Sequence, residues 1–208
     1  MATAAAFWDN LAETYAAKPV EDPEAFDRKT DITLSHLTPS STVLDIGCGT
    51  GSFALRLAPH AAHVHGLDYS SEMIRIARGK ATDVSNVTFH NAPFDAEFTA
   101  LAEDSVDVLC AYSLMHLVMD REPLLQQVQR LLKPGGVFIS STVCLGESWV
   151  PYRPLLTVMR WVGKAPEVAI LTTSGLVQEL QAAGFVDVEV IDVGAKEHIG
   201  FIVARVPV

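Results

Sequence analysis

The densest chemistry in the chain lies in Val43-Leu44-Asp45-Ile46-Gly47-Cys48-Gly49-Thr50-Gly51. An apolar, β-branched run that breaks into alternating glycines leaves a turn where a ligand can approach bare backbone. A helical run, Phe53 to Leu57, follows at once and would aim its N-terminal partial charge at the same point. Further on, His65-Gly66-Leu67-Asp68 ends a second apolar run in an acid, where a carboxylate can accept both hydroxyls of a ribose. The pair points to a nucleotide or nucleoside site. Dinucleotide folds space their glycines G-x-G-x-x-G, the third letting the helix pack beneath a pyrophosphate. Here Ser52 occupies that third position, which counts against NAD and FAD. Asp45, just inside the strand, suits a cationic amino-acid tail better than a pyrophosphate.

Other reactive side chains are scattered. His116 falls just beyond a fourth apolar run, on the side where open α/β sheets bind ligands. A neutral imidazole there can take a proton from an acceptor hydroxyl or position the acceptor. Tyr15 either plugs a core gap or faces the ligand. His60, His63 and His65 cluster without a carboxylate or cysteine at ligand spacing, so no metal is expected. Lys133 reads as a cation at a helix C-terminus. Residues 146–166 crowd Trp149, Tyr152, Met159 and Trp161 with Arg153, Arg160 and Lys164, which suits either a lid over an apolar acceptor or an amphipathic surface helix.

The elements that must position these groups alternate. Helices are expected over Phe7–Ala17, Phe26–Leu37, Phe53–Leu57, Ser71–Lys80, Asp120–Leu132 and Ser174–Ala183, with Ser70 or Ser71 capping the fourth. Strands are expected over Thr42–Ile46, His63–Leu67, Val87–His90, Val106–Tyr112, Val137–Val143, Val186–Val193 and Ile199–Val206. This order describes an α/β fold with a doubly wound, mostly parallel, seven-stranded, Rossmann-like sheet. The last two strands are joined by Gly194 to His198, too short for a crossover, so the final strand should run antiparallel. The chain reads as a single domain over 1–208, with an N-terminal helical cap at 1–38 and a lid-like insertion at 146–170.

On these residues the chain resembles the class I S-adenosylmethionine-dependent methyltransferases. Val43 to Gly51 looks like their first motif, Asp68 like their ribose acid, Asp107 to Leu117 like their fourth-strand motif, and Leu132-Lys133-Pro134-Gly135-Gly136 like their turn before the fifth strand. Trp8, Tyr15 and the segment Lys133 to Leu145 are most similar to the small-molecule, ubiquinone/menaquinone-biosynthesis-like group. The resemblance implies that S-adenosyl-L-methionine is the cofactor, with Asp45, Gly47, Cys48 and Gly49 at its methionine and sulfonium end. It further implies that Gly51 lets the helix start, that Asp68 holds the ribose with Tyr69 beside the adenosine, and that Ala111 borders the site. The family's acid and small residue after the third strand are replaced by His90-Asn91-Ala92-Pro93-Phe94. Asn91, Ala92 and Phe94 are the candidates for the adenine edge, because Pro93 has no N–H to donate. His116 and Tyr15 are the catalytic candidates, and Trp149, Tyr152 and Arg153 the acceptor-side ones.

Composition limits the partners. The chain has 208 residues, 49% of them hydrophobic and 19% charged, enough to fill a core, and 15 Lys plus Arg against 25 Asp plus Glu leave a net charge of −10. That acidity disfavours nucleic acid and anionic membrane. Met1 to Phe7 lacks the basic start of a secretory signal, no run is long enough to span a bilayer, and Cys48, Cys110 and Cys144 read as free thiols in a cytoplasm. A small, partly apolar acceptor methylated by in-line displacement, on a monomer or homodimer, is the leading expectation. An NAD-dependent oxidoreductase and a non-catalytic S-adenosylmethionine-binding regulatory subunit are the alternatives.

Overall fold

Thr42–Ile46 (β1) is apolar on both faces apart from Asp45, and it lies near the middle of a seven-stranded sheet with Val43, Leu44 and Ile46 buried. The computed structural model describes residues 4–161, 165–195 and 198–208, so Lys164 lies outside the described residues. The other strands are His63–Asp68 (β2), Val87–Asn91 (β3), Val106–Tyr112 (β4), Leu132–Val143 (β5), Val186–Val190 (β6) and Ile199–Arg205 (β7). Their order is β3-β2-β1-β4-β5-β7-β6, parallel from β3 to β5, with β7 inserted antiparallel between β5 and β6. The short β6–β7 connection thus has the outcome expected of it.

Helices cover both faces. Pro23–Ser35 (α2), Ser52–Leu57 (α3) and Ser71–Lys80 (α4) pack on one side, where Phe53, Leu57, Ile74 and Ala77 meet Val43, Val108 and Ile139. Glu122–Leu131 (α5) and Thr173–Ala182 (α7) cover the other, where Leu125, Val128, Leu176 and Leu180 meet Leu44, Leu109 and Phe138. Ala4–Ala17 (α1) rests on α4, and Tyr152–Trp161 (α6) buries none of its residues.

The largest departure from expectation is at residues 132–136. The helix does end ahead of the Pro-Gly-Gly run, at Leu131, but residues 132–136 belong to β5 where a turn before a strand starting at Val137 is expected. Leu132 pairs with Val106 across an irregularity in register, and the Gly135 N–H reaches the Val206 carbonyl at 3.1 Å. Strand pairing here outweighs the turn preference of Pro and Gly, and positive φ at Gly135 absorbs the kink. Lys133 accordingly is no helix-terminal cation: it donates to Asp107 Oδ1 at 2.7 Å, while Asp107 Oδ2 accepts the Thr42 N–H at 2.8 Å. The helix expected from Asp120 begins at Glu122, where Pro123 presets the first turn.

Gly51 shows how closely the layers approach. It caps α3 at φ +74°, and a Cβ there would lie 2.6 Å from Phe89 and 2.8 Å from Ala77. Gly51→Ala should therefore cost about 2–4 kcal/mol, combining left-handed strain with overpacking. Gly79→Ala, in α4 with open space around it, should stabilise by about 0.5–1 kcal/mol. Urea midpoints of the two variants check both signs.

Candidate functional site

At the carboxyl ends of β1 and β2 the chain makes two turns, and one side chain holds both. Asp68 Oδ2 accepts the Gly49 N–H at 2.9 Å and Oδ1 accepts the Ser70 N–H at 2.9 Å, while the Cys48 N–H binds the Leu67 carbonyl at 3.0 Å. Asp68 is not the cap of α4. Ser70 is, accepting the Met73 N–H at 3.2 Å. Burial raises the Asp68 pKa against the opposing pull of these N–H donors.

Beside this knot opens a cavity of about 670 Å³, with Gly47, Asp68, Tyr69, Ala92, Phe94 and Leu114 on its wall. Gly47 sits at φ +66°, and a Cβ there would be 3.0 Å from Leu114, so only glycine lets the loop and the β4 turn approach this closely. The β4 turn is itself strained: Ser113 has φ +55° and its N–H is held by the Ser141 carbonyl at 2.7 Å.

Asp45 is 2% exposed, and no hydrogen bond joins its carboxylate to another described residue. Burial, with the Asp68 charge adding to it, raises its pKa to about 8. A buried acid without a partner beside an open backbone turn is a receptor for a cation. Tyr15 of α1 stands over the loop, its ring 3.8 Å from where a Gly49 Cβ would be. Burial and the charges of Asp68 and Asp45 raise its hydroxyl pKa, against the pull of Lys18. Tyr69 is raised in the same way, with the Trp8 indole beside its hydroxyl opposing the shift.

The remaining candidates are spread out. Ala92 and Phe94 line the cavity, whereas Asn91 turns to the Asp68 carbonyl at 3.1 Å and lines a neighbouring cleft of about 480 Å³. Cys48 and Ala111 support the loop and strand from behind, and burial raises the Cys48 thiol pKa. His116 lies in a 3-10 turn, Met115–Leu117, off the cavity wall; its Nδ1 is buried with no hydrogen-bond partner among the described residues, and burial lowers its pKa to about 4. Trp149 is 94% exposed, Trp161 86%, and Arg153 is exposed, and none of the three lines the cavity. The His63 and His65 rings lie 4.5 Å apart at a tilt of 43°, but the third member is His90, which stacks on His65 and whose Nε2 is 3.1 Å from His65 Nδ1. Among the described residues no group of three or more His, Cys, Asp or Glu is placed to hold a metal.

Sequence reasoning missed Leu114, Val118 and the start of α5, where Asp120 and Pro123 complete the cavity. Nothing in the local pattern marks them, because the β4 turn brings them in. It also missed Lys29 of α2, whose Nζ is 3.3 Å from Ser141 Oγ and whose pKa burial lowers.

Comparison with known proteins gives a consistent picture. A family model described as a methyltransferase domain matches residues 37–180. A ubiquinone biosynthesis O-methyltransferase from Paraburkholderia phymatum is 33% identical over 138 residues, 66% of this chain and 57% of that protein. A ubiquinone/menaquinone biosynthesis C-methyltransferase from Geotalea daltonii is 33% identical over 104 residues, 47% of this chain and 43% of that protein. The chain thus spans about half the length of these curated relatives. A methyltransferase structure from Aquifex aeolicus superposes with a TM-score of 0.72 at 18% identity, covering 95% of this chain and 98% of that one; at that identity it speaks for the fold alone.

Asp45 makes the ligand-free protein sensitive to pH in a defined direction. Its folded pKa of about 8 exceeds the ordinary 3.8, so the native state holds the proton more tightly and stability falls as pH rises between those values. Asp45→Asn should flatten that slope. The variant should match the parent near pH 4 and exceed it by several kcal/mol above pH 8, at about 1.4 kcal/mol per unit of pKa difference, read from urea midpoints across pH.

Proposed function

Because this chain belongs to the methyltransferase-domain family, we propose that it is an S-adenosylmethionine-dependent methyltransferase acting on a small, partly apolar metabolite. One observation carries the reading: a buried carboxylate that no other described residue hydrogen-bonds, Asp45, beside a glycine turn stitched to a second carboxylate, Asp68. The donor set fits this cofactor. Asp45 suits an ammonium group, Asp68 retains lone pairs for ribose hydroxyls, and Ala92, Phe94, Leu114 and Val118 offer an apolar slot for a base. A pyrophosphate would meet two acids at the same place.

S-adenosylmethionine would supply, when bound, a sulfonium methyl group open to in-line attack by an acceptor nucleophile, the S–CH3 bond breaking as the neutral thioether S-adenosylhomocysteine leaves. The chain's own contribution is positioning and water exclusion, since charge is neutralised as the reaction proceeds. Asp45 would hold the amino-acid end, Asp68 and Tyr69 the nucleoside, and the Tyr15 ring would cover the turn while its hydroxyl stays protonated. His116 is neutral at physiological pH, and its low basicity suits holding an acceptor through one ring nitrogen better than taking a proton. The segment with Trp149, Tyr152 and Arg153 is proposed as an acceptor-side lid, its exposed aromatics supplying apolar contact. Cys48, Cys110 and Cys144 are free, consistent with a reducing cytoplasm, and among the described residues no helix is long and apolar enough to cross a membrane.

Calorimetry with S-adenosylhomocysteine and with NAD tests the proposal: binding of the first without the second is expected, and the reverse would sink it. Asp68→Ala should weaken S-adenosylhomocysteine by about tenfold or more, one to two hydrogen bonds' worth, with an unchanged circular dichroism spectrum.

Once an acceptor is found, His116→Ala should raise its KM and lower kcat/KM without removing an acid limb near pH 4, where the lowered His116 pKa lies. Loss of kcat alone, together with loss of that limb, would restore the base role.

A further inference from the structure

Upstream of the family domain, α1 is tied down by a contact that the folding of α4 does not itself require. Asp9 Oδ1 accepts from Ser70 Oγ at 2.7 Å, from the Glu72 N–H at 3.1 Å and from Ser71 Oγ at 3.4 Å. Glu13, one turn along, pairs with Arg75 of the same helix, and Ala12 between them is fully buried. α4 therefore carries two side-chain caps, its own Ser70 and Asp9 from another helix. One cap meets the ordinary need of a helix end. The second fixes α1.

What α1 carries gives that attachment a use. Trp8 lies beside the Tyr69 hydroxyl on the cavity wall, and Tyr15 stands over Gly49. The residue that Asp9 grips through Oγ, Ser70, is also the one that Asp68 grips through its N–H at 2.9 Å. The latch and the ribose acid are thus joined through one serine, while Asp9 itself is solvent-accessible and can let go without unfolding the sheet. We propose that Asp9 is a positioning residue for the cofactor site: it latches α1 across the glycine turn, holding Tyr15 over that turn and Trp8 beside Tyr69 at the nucleoside end, and cofactor exchange requires the latch to open. The ligand's identity rests on the reading above; the latch itself does not.

The test uses the full chain, with Asp9→Ala, Asp9→Asn and Glu13→Gln. Hydrogen exchange of the ligand-free protein reports whether α1 is held, and stopped-flow displacement reports S-adenosylhomocysteine dissociation. Asp9→Ala should speed both by about tenfold, the equivalent of one lost cap. Asp9→Asn, which keeps an acceptor oxygen, should show a smaller change. Glu13→Gln leaves both α4 caps in place and should move both readouts in the same direction, which a mere loss of α4 stability would not explain. Exchange in β1 and β4 should stay as in the parent.

Unchanged α1 exchange in Asp9→Ala overturns the latch. Faster α1 exchange with unchanged ligand dissociation overturns its gating role. A parent protein that binds no S-adenosylhomocysteine overturns the cofactor reading instead, and α1 exchange then still decides whether Asp9 holds the helix. If Asp9→Ala fails to fold, the Asp9→Asn and Glu13→Gln pair decides on the same readouts.

Discussion

The carboxylate of Asp68 is the constraint on which the ligand end of this molecule depends. Its two oxygens bind the N–H groups of Gly49 and Ser70, one on the turn after β1 and the other at the start of α4. Two loops that leave neighbouring parallel strands would otherwise be independent. Fastened to one side chain, they become a single rigid rim. Cys48 N–H on the Leu67 carbonyl repeats the tie in the main chain, and Gly51 lets α3 leave the rim while Phe89 and Ala77 press against it.

That rim is electrostatically unfinished. Asp45 and Asp68 are both buried, burial raises both pKa values and the Asp68 charge raises that of Asp45 further, and no cation among the described residues is hydrogen-bonded to either. Stability alone would not select such an arrangement, because a buried carboxylate without a counter-charge is costly unless it keeps its proton. A ligand that brings its own positive charge removes the conflict, which is why the two acids say more about function than any hydrophobic contact in the sheet. The −10 net charge of the chain belongs to the same logic, since only part of it lies on the surface.

Much of the fold was legible because it rests on local signals. Buried parallel strands show as continuous apolar runs, helices as repeats of three and four, and the β6–β7 hairpin as a connection too short to cross over. The reading failed where a long-range pairing competed with a local preference. Pro134 and the two glycines after it look like a turn, yet the chain's last residues bond Gly135 and Gly136 while β4 pairs only with Leu132 before them and Val137 after them, so the run is carried within β5. Lys133 changed meaning with them, from a helix-end cation to a partner of Asp107.

The candidate site divides in the same way. Gly47, Gly49, Asp45 and Asp68 could be named from sequence, because a glycine turn between a strand and a helix and an acid ending the next strand are patterns within a few residues. Leu114, Asp120 and Pro123 could not, since they reach the cavity through the strained turn at Ser113 and carry no mark of their own. Nor could the hold of Asp9 on Ser70, two residues 61 positions apart. The sequence by itself determined the order of strands and helices and the chemical types gathered at their ends, because those follow from backbone preference and the period of apolar residues. Only the tertiary structure decided which acid is tied and which is left bare, which side chains wall the cavity, and that α1 packs on α4 with Tyr15 near the glycine turn, because these depend on distances between segments that no local pattern encodes.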